Sequence, residues 1–226
     1  NIAAQFGWGK IKHIPDVLIS YPEKFPSDLE SCLVSLTEIL RSRDAEGEII
    51  PASGLSWFVR YPLATPPLVT IVILSIGQLD FLSRCLASIQ SNTDYPNFEV
   101  VIALTNLHDA PDLDNWIKDT KRSKNPIVRY VRTELNASHA TRCNAGAMDS
   151  LGEFLLFLKE ESVVIQKKWL EELVRTGAQP GIGGVSPRMI QPGNAMIESA
   201  GNVLGLNGIA GSPYQGTTKL GDEPGY

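Results

Sequence analysis

The sequence predicts an α/β protein: a mostly parallel, doubly wound sheet with helices on both faces, preceded by a short helical accessory segment. Three observations carry this expectation. Runs of β-branched and aliphatic residues alternate with amphipathic stretches at helical spacing. The runs are continuous rather than alternating in polarity, as strands covered on both faces require. A proline-rich stretch, "YPLATPP" at residues 61–67, divides this alternation from an N-terminal part of different texture.

Residues 1–61 scatter Pro15, Pro22 and Pro26 ahead of one helical stretch over 27–43. Ser27 or Asp28 is placed to cap it, and Leu29, Cys32, Leu33, Leu36 and Leu40 fall on one side of it. This part reads as an accessory segment, and residues 62–226 as the main domain. There "LVTIVIL" (68–74) is the first strand, and Leu79, Leu82, Leu86 and Ile89 mark one face of the helix behind it. "FEVVIAL" (98–104) and "IVRYV" (127–131) are the next strands, each leading to a helix, around 113–121 and 138–148. "EFLLFL" (153–158) then precedes "KKWLEELV" (167–174), the last strand-helix pair. Strands that alternate with helices build a parallel sheet, and in such sheets ligands sit beyond the carboxyl ends of the strands. "KEES" (159–162) therefore falls at the ligand-binding edge. Side chains alternate along extended chain, so Lys159 and Glu161 are expected on one side and Glu160 on the other.

Composition excludes several classes. With 43% hydrophobic and 20% charged residues, 226 residues suffice for one or two domains with their own core. A net charge of −5 and no basic stripe argue against a nucleic-acid partner. Cys32, Cys85 and Cys143 are odd in number and lack C-x-x-C spacing, which points to a reducing, cytoplasmic setting without disulfides or structural zinc. No run approaches the ~20 apolar residues of a membrane span, and no signal peptide opens the chain. Any membrane association is expected through parts outside this chain, which starts at Asn1 without methionine and reads as a piece of something longer.

Several segments in order resemble the family 2 nucleotide-sugar glycosyltransferases, whose catalytic domain has the Rossmann-like GT-A fold. "PLVTIVILSIGQLDFLSRCLASIQSNTDYPNFEVVIA" is similar to that family's opening strand, helix and second strand. "NAGA" (144–147), "GEFLLFLKEES" and "WLEELV" resemble the approach to its acidic D-x-D-type motif and the helix beyond. "GGVSPRMIQPGNAMIESAGNVLGLNGIAG" resembles its glycine-rich region. The resemblance implies a nucleotide-diphospho-sugar donor, a saccharide acceptor and inverting transfer of the sugar. It also implies Mg²⁺ or Mn²⁺ against the diphosphate, with Glu161 as metal ligand and Ser75, Asn144, Lys159, Glu160 and Glu161 about the nucleotide sugar. The catalytic base is expected beyond Tyr226, as is the acceptor-binding half.

Departures fall where the chemistry belongs. Leu104 stands where the family has a base-contacting aspartate, and Lys159 opens the acidic motif. An ammonium there repels a cation or replaces it against the diphosphate. A degenerate domain kept as a scaffold or binding module is the alternative. Each candidate also has an ordinary role. Glu160 and Glu161 suit the start of a helix, Ser75 can end a strand, and Asn144 and Gly146 can serve helix packing. Arg142 reads as a surface arginine, and Cys143 as a thiol with no base partner.

Overall fold

The computed structural model describes residues 29–42, 46–51, 57–105, 111–120, 126–194, 196–201, 203–204, 210–211 and 215–217. Four parallel strands form its centre: β3 (Val69–Ser75), β4 (Phe98–Thr105), β5 (Ile127–Thr133) and β6 (Phe154–Lys159), in the order β5-β4-β3-β6. Each is followed by a helix: α2 (Leu79–Ser91), α3 (Pro111–Thr120), α4 (His139–Met148) and α5 (Trp169–Gly177).

The two inner strands show why their sequences are continuously apolar. Every residue of β3 is buried, and so is every residue of β4 after Phe98. Alternate side chains serve opposite faces. Val69, Ile71 and Ile73 join Val100, Ile102 and Leu104 in one core with Leu82, Leu86 and Ile89 of α2, Leu113 and Ile117 of α3, and Leu170 and Val174 of α5. Val72, Leu74 and Ala103 form the other core, with Val131 of β5 and Cys143 of α4 packed against it. The sheet thus carries helices on both faces, as its sequence implies.

α4 approaches closely because of one glycine. A Cβ built at Gly146 would lie 2.3 Å from Val72 Cγ1, so only a residue without a side chain fits this crossing. Gly152 is equally constrained: a Cβ there would meet the Thr70 backbone nitrogen at 2.5 Å. Its amide donates to Thr70 Oγ1 at 2.9 Å. Thr70 in turn donates to the buried Glu99, which also accepts from the Leu151 amide and from Arg129 Nη2 at 2.8 Å. Arg129 also donates to the Asp149 carbonyl at the end of α4. This network ties four segments together at the amino ends of the strands, away from the ligand edge.

Three differences from the sequence reading stand out. β6 was expected to be covered on both faces, yet Leu155 and Phe157 are 42% and 43% exposed, because β6 borders the described sheet and α4 lies over β3, β4 and β5. Lys159 belongs to that strand, paired with Leu74, rather than following it. The N-terminal part holds more than its helix α1 (Leu29–Ser42). An antiparallel hairpin, β1 (Glu48–Pro51) with β2 (Trp57–Arg60), follows it, and Arg60 Nε binds Glu172 of α5 at 3.0 Å. The expected caps Ser27 and Asp28 lie outside the described residues. Beyond α5, the glycine-rich region forms short antiparallel ladders: β7 (Met189–Ile190) with β8 (Ile197–Ser199), and β9 (Val203–Leu204) with β10 (Ala210–Gly211).

Candidate functional site

The carboxyl ends of β3 and β6 lie side by side, which brings Ser75 to the acidic stretch. The ladder continues one step beyond the Leu74–Lys159 pair, where the Glu160 amide donates to the Leu74 carbonyl at 3.2 Å. The chain then turns, with the Ser162 amide donating to the Lys159 carbonyl at 3.0 Å. Alternation sends Glu160 inward to 2% exposure and leaves Lys159 and Glu161 exposed. Ser75 Oγ donates to Glu160 Oε2 at 2.5 Å, and the Ile76 amide donates to Glu160 Oε1 at 3.1 Å. The Gly77 amide donates back to Ser75 Oγ at 3.0 Å, and Gly77 has φ +92°, a conformation glycine adopts at little cost. One buried carboxylate thereby clasps the turn that leads from β3 into α2.

α2 fixes both ends of this region. Its Cys85 lies beneath the acidic turn, Sγ 3.9 Å from the Lys159 carbonyl. Burial, with Glu160 and then Glu161 adding, pushes its thiol up to about 12, so it stays protonated and unreactive. Farther along, Ser88 Oγ accepts from the Val164 amide at 3.0 Å, and Asn92 Nδ2 donates to the Val164 carbonyl at 2.8 Å. The segment after Glu161 is thus held to the end of α2. An open cavity of about 490 Å³ lies beside the first turn of α2, lined by Gln78, Leu79, Asp80, Phe81 and Arg84.

β4 and β5 end at the paired, buried Thr105 and Thr133. Arg142 of α4 reaches this end of the sheet: Nη1 lies 3.5 Å from Thr105 Oγ1, and its buried Nε has no hydrogen-bond partner among the described residues. The sequence reading made it a surface arginine. Helical geometry instead turns it toward the strand ends, a contact visible only once β4 and α4 are packed. Ser138 caps α4 by accepting from the Thr141 amide at 3.1 Å. Cys143 Sγ lies 3.6 Å from His139 Nδ1, so the thiol that lacked a partner in the sequence has one in the helix.

Of the five sequence candidates, Ser75 and Glu160 are bonded to each other, Lys159 and Glu161 flank them, and Asn144 is exposed on α4 and bonded to none of these. Among the described residues, no group of three or more His, Cys, Asp or Glu side chains gathers to hold a metal ion. Both oxygens of Glu160 are committed to the turn, which leaves Glu161 as the exposed carboxylate. A magnesium-type ion takes one or two protein carboxylates and fills the rest of its shell with phosphate and water. Glu161 alone fits that mode and no richer one. Among the described residues, no helix is long and apolar enough to cross a membrane.

Residues 70–195 match the family model described as Glycosyl transferase family 2. The O-antigen biosynthesis protein RfbC of Myxococcus xanthus is 28% identical over 184 residues, covering 80% of this chain and 14% of that protein. The uncharacterized protein y4gI of Sinorhizobium fredii is 31% identical over 156 residues, covering 69% of this chain and 17% of that one. The chain therefore spans less than a fifth of the length of these curated relatives. Among solved structures, the mannosyltransferase PcManGT from Pyrobaculum calidifontis, in complex with GDP-Man and Mn²⁺, aligns with a TM-score of 0.49 at 18% identity, over 73% of this chain and 46% of that one.

Proposed function

The chain belongs to glycosyl transferase family 2, and on that premise we propose that it binds a nucleotide-diphospho-sugar for inverting transfer of the sugar to a saccharide acceptor. The observation that carries this reading is the meeting of Ser75 with the stretch Lys159, Glu160, Glu161 at the carboxyl edge of the parallel sheet. Ligands of open α/β sheets sit at that edge. The likeness to a protein named for O-antigen biosynthesis supports a polysaccharide product.

In this reading the donor's nucleoside lies against the 76–78 turn and its diphosphate faces Lys159, Glu161 and the Arg142 guanidinium. Departure of the sugar leaves negative charge on the diphosphate, and fixed cations stabilise that charge in the transition state. Glu161 is the residue that would hold Mg²⁺ or Mn²⁺, an ion that neutralises a leaving diphosphate when bound. Lys159 supplies a positive charge of its own beside it.

The test is calorimetric titration of UDP and GDP into residues 1–226, with Mn²⁺ or with EDTA. Saturable binding of one nucleotide supports the reading, and binding of neither sinks it. A second reading is favoured by the acidic stretch itself, where Glu160 is tied up in the turn and exposed Glu161 stands beside Lys159: a degenerate domain that keeps the fold as a scaffold. A folded chain that binds no nucleotide under either condition supports that alternative.

A further inference from the structure

Resting on that reading, we propose that Glu160 is a positioning residue. Its carboxylate touches neither metal nor donor but sets the 76–78 turn against which the donor's nucleoside is received. The middle residue of the acidic stretch thus acts on the ligand through Ser75 and the Ile76 amide.

Four observations support this. Both Glu160 oxygens already have donors, Ser75 Oγ at 2.5 Å and the Ile76 amide at 3.1 Å. At 2% exposure the side chain has no open side from which an ion could be held. Among the described residues, no lysine or arginine forms an ion pair with it, so its interactions are directed at the turn. Finally, the turn is not secured by its own side chains. Ile76 is 45% exposed and residue 77 is a glycine, so the backbone is held by the hydrogen bonds that run through Glu160 and Ser75.

Removing the carboxylate takes the acceptor from the Ser75 hydroxyl and from the Ile76 amide, leaving only the Gly77 amide on Ser75 Oγ, and the turn relaxes toward water. A glutamine keeps the carbonyl oxygen that faces Ile76 and the same length. Its amide meets Ser75 Oγ, which can accept while its proton turns away. Glu160→Gln should therefore preserve most of the turn, and Glu160→Ala should release it.

The experiment titrates UDP and GDP into the full chain and into Glu160→Gln, Glu160→Ala and Glu161→Ala, each with Mn²⁺ or EDTA. Circular dichroism establishes folding, and amide hydrogen exchange is read at Ile76 and Gly77. Glu160→Ala is expected to weaken the bound nucleotide by about tenfold, the equivalent of one net hydrogen bond, while the Mn²⁺-to-EDTA affinity ratio stays that of the parent. Exchange at both amides should accelerate in Glu160→Ala, and Glu160→Gln should stay within about threefold of the parent affinity. Parent-like affinity in a folded Glu160→Ala overturns the inference while leaving the nucleotide site standing. A collapse of the Mn²⁺ response in Glu160→Ala, matching that in Glu161→Ala, also overturns it by making Glu160 a metal ligand. Absence of nucleotide binding by the parent overturns the site itself, and this role with it.

Discussion

Replacing Gly146 with alanine tests the packing that brings α4, and with it Arg142 and Asn144, to the edge of the sheet. In an exposed helix this change stabilises by about 1 kcal/mol, because alanine gives up less backbone freedom. Here the added Cβ would lie 2.3 Å from Val72 Cγ1 and 3.4 Å from Val72 Cβ and Cγ2. Carbon atoms rest at ~3.5–4.0 Å, so helix and strand must part by about 1 Å or Val72 must leave its rotamer. Val72 is fully buried and β-branched, so its χ1 freedom is restricted. Overpacking of this kind costs about 1–3 kcal/mol, and the short contact places it toward the upper end. Net destabilisation of about 1–2 kcal/mol should appear as a lower urea midpoint with unchanged slope, and as a fall in Tm of roughly 2–8 °C. The paired variant Val72→Ala removes both methyl groups that obstruct the new Cβ. In the double variant Gly146→Ala should then be neutral or stabilising, a coupling of about 1 kcal/mol or more. A single Gly146→Ala variant as stable as the parent, or additive effects in the double variant, would refute the close crossing.

Arg129→Met should destabilise by about 2–3 kcal/mol, since it leaves the buried Glu99 without its cation, and the partial exposure of Arg129 holds the loss below that of a fully buried pair. Adding Glu99→Gln should recover part of the loss in urea titrations. At high pH the fold should weaken. The Cys85 thiol rises from its ordinary 9.0 to about 12, chiefly through burial, and the Tyr130 phenol from 10.0 to about 12, again through burial. Both raised groups hold their protons more tightly folded than unfolded, so their contribution is complete below about pH 9 and is lost as pH rises toward about 12. Tyr130→Phe should reduce that loss in urea titrations across the range. Lys159→Asp should make nucleoside diphosphate binding depend on Mn²⁺. It adds an oxygen ligand and removes a repulsion of about 1 kcal/mol at ~4 Å even in water, and calorimetry with EDTA as control reads the change.

What the sequence makes legible follows from how far apart the cooperating residues lie. β3 and β4 are readable because burial on both faces demands an unbroken apolar run, which is a local property. β6 carries a similar run, "FLLFL", yet stands at the border of the described sheet, because apolarity alone does not reveal how many neighbours a strand has. Alternation correctly separates Glu160 from Lys159 and Glu161. That the inward carboxylate meets Ser75 is not readable, since 85 residues separate the pair. The same holds for Arg142 with Thr105, 37 residues apart, and for Glu99 with Arg129, 30 apart. By contrast, the His139–Cys143 contact spans four residues of a helix and follows from i, i+4 spacing. The β1–β2 hairpin escapes notice because each strand has only four residues, too few to show a period.

The order β5-β4-β3-β6 also sets a schedule for folding. β3 pairs with β4, which follows it closely in the chain, and with β6, whose Leu158 opposes Ile73 from 85 positions farther along the chain. Closing so long a loop is entropically costly, though the cost grows slowly with length, and contacts of this kind form late and slow the overall rate. As the chain leaves the ribosome, one flank of β3 therefore remains an open, largely apolar ladder edge until residues 154–159 have emerged. During that interval it is a site for mispairing between neighbouring nascent chains. Because the Ser75–Glu160 bond lies at the far end of the last ladder to close, protection of the Ile76 amide should be the final event of refolding in pulse-labelling, after the β3–β4 amides are already protected.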